Sequence, residues 1–157
     1  MSTLIAYYSM KGNNKKLAQY LNEKYGFDLF EIQEKKKRKT FSILLDAIFK
    51  KRKCKLADYD INLSAYDNVV LMGPVWMGSV CKPVIEFINR EKERVKSFNF
   101  ISVCGGENKA VLLKDNFYLA IDKAPKKVLQ IGIYPLIPEE LRKDIRYVMN
   151  YKITDED

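Results

Sequence analysis

The chain has 157 residues, of which 47% are hydrophobic and 31% charged, and its formal net charge is +8. This length suits one domain, residues 1–157, with enough buried surface to fold without covalent staples. The chain contains no histidine and only three widely spaced cysteines, Cys54, Cys81 and Cys104. That composition argues against Ser-His-Asp and Cys-His nucleophile pairs as usually built, most zinc and non-haem iron centres, and a disulfide framework.

Taken in chain order, Leu4-Ile5-Ala6-Tyr7-Tyr8 is a short apolar run that ends in a Ser/Gly/Asn cluster, which predicts a buried strand. A helix is expected over 15–25, with Leu17, Ala18, Leu21 and Tyr25 on one face and Gly26 as its stop. Residues 27–32 read as a second strand and 41–49 as a helix, while 50–65 is the least regular stretch. The clearest strand is Asn68-Val69-Val70-Leu71-Met72, bounded by Asp67 and Gly73-Pro74. A helix over 82–93 has Pro83 in its first turn, and the apolar strand at 98–104 closes on Gly105-Gly106. A helix over 109–122, a strand over 127–134 and a helix opening at Pro138 complete the chain.

Strands that alternate with helices, and are apolar enough to be buried on both faces, imply a parallel sheet covered on each side. The expected architecture is therefore α/β: a three-layer, doubly wound, five-stranded parallel sheet, for which the strand order 2-1-3-4-5 is available. Ligands of such sheets sit beyond the carboxyl ends of the strands.

The unusual residues gather at those ends. Ser9, Met10, Lys11, Gly12, Asn13 and Asn14 form a small polar loop before the first helix, which suits either a helix cap or a phosphate cradle. In the second loop, Pro74, Val75, Trp76, Met77 and Gly78 surround the sole tryptophan, which suits either packing or stacking on a flat heterocycle. Cys104, Gly105, Gly106 and Glu107 form the third loop, whose glycines free backbone amides to meet a ring edge. Together the loops suit a ligand with a phosphate at one end and a flat polar ring at the other. No side chain is assigned a catalytic role and no metal site is expected.

The stretch Tyr7-Tyr8-Ser9, followed by Gly12-Asn13, resembles the phosphate loop of flavodoxins. Gly73-Pro74-Val75-Trp76 with Gly78, followed by Pro83-Val84 and Phe87, resembles their second flavin loop and its helix, and Cys104-Gly105-Gly106 the third. Nearly the whole chain takes part. The resemblance implies a flavodoxin-like fold, flavin mononucleotide (FMN) as cofactor, and electron transfer as function. The alternatives on the same fold are an FMN-dependent NAD(P)H or quinone reductase and an interaction module without flavin. Lys11 and Asn14 stand where flavodoxins usually carry Ser or Thr, and flavodoxins are usually acidic.

Much of the excess positive charge lies in residues 35–39 and in 50–53 with Lys55. These runs suit a solvated surface, a docking face for an acidic redox protein, or nucleic acid. The last fits least, because aromatic residues are not interleaved with the lysines. The second run is expected to lie farther from the flavin loops than the first. No apolar run approaches the ~20 residues of a membrane span, and Met1-Ser2-Thr3-Leu4 lacks the basic start of a signal peptide. A cytoplasmic protein is therefore expected.

Overall fold

The computed structural model describes residues 2–39, 41, 43, 54–105 and 110–132. Its centre is built from the two most apolar runs, β1 (Thr3–Tyr7) and β3 (Asn68–Met72), buried along their whole length. They pair in parallel, Tyr7 opposite Met72. β2 (Asp28–Glu31) flanks β1 and forms one edge. Beyond β3 lie β6 (Phe98–Cys104) and then β7 (Val128–Gly132), both parallel. The sheet order is β2-β1-β3-β6-β7. With the small hairpin β4 (Val75–Trp76) and β5 (Ser79–Val80) counted apart, this is the expected order 2-1-3-4-5.

Alternation along each strand divides its side chains between two layers. Ile5, Tyr7, Val70, Met72 and Ile101 point to α1 (Asn13–Tyr25), which buries Leu17, Ala18 and Leu21 against them. Leu4, Ala6, Leu71, Phe98 and Phe100 point the other way, to α2 (Lys82–Glu91) and α3 (Ala110–Ile121). There Phe87, Phe100 and Phe117 are wholly enclosed. Removing one such ring costs about 3–5 kcal/mol, so this layer strongly fixes how α2 and α3 seat on the sheet.

Two glycines have clear structural reasons. Gly26 ends α1 in the left-handed region, and its N–H returns to the Asn22 carbonyl at 2.8 Å. A side chain on Gly73 would begin 2.6 Å from Val84 Cγ2, so glycine lets the start of α2 come close to the end of β3.

Two expectations are altered. The second loop, Pro74 to Gly78, is built into the β4–β5 hairpin, which runs from Val75 to Val80. Its turn residues, Met77 and Gly78, have φ values of 51° and 77°, the paired positive values of a type I′ connection. Two-residue strands are too short to show a period, and Met-Gly is not the Asn-Gly pair that marks such turns. Within residues 50–65, Leu56 forms an antiparallel bridge with Glu34, and Leu63–Ala65 form a 3-10 turn. Of the helix expected over 41–49, only Phe41 and Ile43 are described, and both are helical. The helix expected from Pro138 lies outside the described residues.

Candidate functional site

After β1 the chain turns through α1 to β2 on one side. After β3 it turns through α2 to β6 on the other. The carboxyl ends of β1 and β3 therefore diverge, and a crevice opens between their loops. A cleft of about 210 Å³ lies there, walled by all three expected loops.

The first loop contributes Ser9, Met10, Lys11, Asn13 and Asn14. Gly12 stands behind them as the N-cap of α1, at φ 88°, and no side chain caps this helix end. Among the described residues, no backbone N–H of residues 10–14 donates to a group elsewhere in the chain. Four of these five residues line the cleft, which puts the N-terminus of α1, the positive end of its dipole, at the cleft's edge. Ser9 Oγ is buried without a hydrogen-bond partner. A buried hydroxyl left unpaired is costly, so this atom is available to donate to a ligand in the cleft. Asn14 behaves otherwise. Its Nδ2 donates to the Val103 carbonyl at 3.3 Å, and its Oδ1 accepts from the Val103 N–H at 3.0 Å. This side chain ties the first loop to the carboxyl end of β6.

Pro74, Val75 and Trp76 form the second wall, while Cys104 and Gly105, joined by Val103, form the third. Met77 and Gly78 lie at the hairpin tip, away from the lining, and Met77 is exposed. Their positive φ serves the turn. Gly106 and Glu107 lie outside the described residues. Ile43 also lines the cleft; its apolar helical pattern gave it no functional signal in the sequence.

Trp76 is half-buried, with the Tyr8 ring edge-on at 6.1 Å and 85° and the Arg38 guanidinium 5.7 Å from its centroid. Arg38 is thus not part of a solvated run. It turns inward to Glu34, 2.7 Å away. Burial works to raise the Glu34 carboxyl, but hydrogen bonds from Arg38, Cys54 and Tyr8 outweigh it and hold it below the usual carboxylate range. Burial first, then the Glu34 bond and charge, push the Cys54 thiol up to about 12 and the Tyr8 phenol well above its ordinary value. Lys35 of the first run also meets Lys55: its N–H donates to the Lys55 carbonyl at 2.9 Å. Residues 50–53 lie outside the described residues.

A doubly wound parallel sheet whose first and third main strands diverge over a cleft defines a class of open α/β fold. Within that class the chain is flavodoxin-like. It is similar to a flavoprotein from Lactobacillus acidophilus crystallised in complex with FMN, at 25% identity and TM-score 0.65, over 82% of this chain and 92% of that one. A protein described as a flavoprotein from Bacteroides eggerthii superposes at TM-score 0.76 with 20% identity, over 96% and 99% of the two chains. Oxidised flavodoxin 1 from Bacillus cereus gives 0.53 with 12% identity, over 96% and 97%. No family model and no curated protein sequence matches the chain. Among the described residues no helix is long and apolar enough to cross a membrane, and no cluster of potential metal ligands occurs.

Proposed function

We propose that this chain binds FMN in the cleft and acts as an electron carrier. The observation that carries the reading is Ser9 Oγ, a buried, unpartnered hydroxyl beside the uncapped N-terminus of α1. Such an end stabilises an anion through backbone N–H groups and dipole together. Ser9 would donate to the phosphate, the amides of residues 10–14 would surround it, and exposed Lys11 would add charge at the rim. The flat ring would lie between Trp76 and the backbone of Val103, Cys104 and Gly105. The 25% identical relative crystallised with FMN supports the choice of ligand. Bound FMN supplies one- and two-electron redox chemistry, while the protein supplies binding, orientation and the surrounding charge. Exposed Lys36, Lys37 and Lys39 follow β2 and flank Arg38 at the Trp76 wall. This basic rim suits an acidic redox protein as partner.

The test is a titration of flavin-free protein with FMN, following the emission of the sole tryptophan. Saturable one-to-one quenching with a yellow, retained flavin is expected. Emission that stays constant, with no flavin retained on a desalting column, would refute the reading. Steady NADPH oxidation with a quinone would instead make the protein a reductase.

A further inference from the structure

The inward turn of Arg38 builds a device around Trp76. Arg38 Nε donates to Glu34 Oε2 at 2.9 Å and Nη2 donates to Oε1 at 2.7 Å, a two-point pairing. Both side chains are almost enclosed, at 7% and 9% exposure. The same carboxylate accepts from the Tyr8 hydroxyl at 2.8 Å and from Cys54 Sγ at 3.1 Å. Four donor atoms from three residues therefore hold Glu34, and two of those residues, Arg38 and Tyr8, are set against the indole. Replacing a buried ion pair with apolar groups is often neutral or stabilising, so stability alone is a weak reason for this one. Geometry is a stronger reason. A planar guanidinium gripped at two points has one orientation, which fixes the cation it presents to the Trp76 ring. Tyr8 also immediately precedes Ser9, so the network joins the Trp76 wall to the start of the first loop.

We infer that Glu34 and Arg38 are positioning residues, which hold Trp76 through the Arg38 guanidinium and the Tyr8 ring in the orientation that meets the flavin. The functional half rests on the flavin reading; the clamp itself is a property of the flavin-free protein and is testable there.

Two variants separate the outcomes. Arg38→Met combined with Glu34→Gln removes both charges together, so no unpaired buried charge threatens folding. Arg38→Lys keeps the positive charge and loses the planar two-point grip. Melting temperature is recorded for each. In flavin-free protein, both variants should at least double the acrylamide Stern–Volmer slope of Trp76 emission and lower its anisotropy. In titrations, FMN should bind about tenfold more weakly, within the range that loss of a desolvated cation–π contact implies. Wild-type quenching and affinity in the double variant would overturn the inference. So would wild-type values for Arg38→Lys, since a point charge would then suffice, or a change confined to melting temperature. If the wild-type protein binds no FMN, the flavin reading falls, and the quenching comparison still decides the clamp.

Discussion

Ser9→Ala should stabilise the flavin-free protein and weaken FMN, two effects of opposite sign from one atom. In the free protein Ser9 Oγ is buried with no partner. Such a group carries a desolvation penalty of about 1–3 kcal/mol, which alanine removes. For a chain of this size, a gain of about 1 kcal/mol raises the melting temperature by roughly 2–4 °C. With FMN bound, the hydroxyl would donate to a charged phosphate, and hydrogen bonds to charged groups contribute about 1.5–3 kcal/mol. Losing that bond weakens affinity by roughly ten- to 150-fold. Thermal melts of flavin-free wild-type and variant protein, and fluorescence titrations with FMN, measure the two arms separately. A variant that melts lower and binds FMN as the wild type does would refute the reasoning, because Ser9 would then be an ordinary loop residue.

Asn14→Ala should destabilise the flavin-free protein by about 1–3 kcal/mol, since it removes both bonds to Val103 and leaves that backbone unpaired; chemical denaturation measures this. Met77→Asn should stabilise by about 0.5–1 kcal/mol without changing FMN affinity, because asparagine tolerates the left-handed φ of 51° better than methionine does. Glu34, held below its ordinary value, binds fewer protons folded than unfolded. Its contribution is therefore present above the unfolded value, about 4.3, and lost as pH falls through the lower folded value. Stability measured from pH 5 downward should thus fall less steeply in Glu34→Gln than in wild type. Lys36→Glu with Lys37→Glu should slow reduction by an acidic donor about tenfold at low salt, and high salt should erase the difference in stopped-flow traces.

The layered fold was legible because its signals are local. Apolar runs such as those around Val70 and Ile101 mark strands buried on both faces, and Gly26 and Pro83 punctuate helices by their own backbone preferences. The place of the three loops follows as well, since Ser9, Trp76 and Gly105 come within a few residues of the end of β1, β3 and β6, and a parallel sheet brings its carboxyl ends to one edge. What sequence left open was which atoms remain available once the loops meet. Asn14 reads like any small polar loop residue, yet Val103, 89 positions away, occupies its side chain. Arg38 reads as one charge in a run of five, yet Glu34 draws it inward and leaves its neighbours in water. Local propensity fixes elements within a few residues, whereas hydrogen-bond partners distant in the chain are chosen only when packing excludes water and every buried polar group must find a partner.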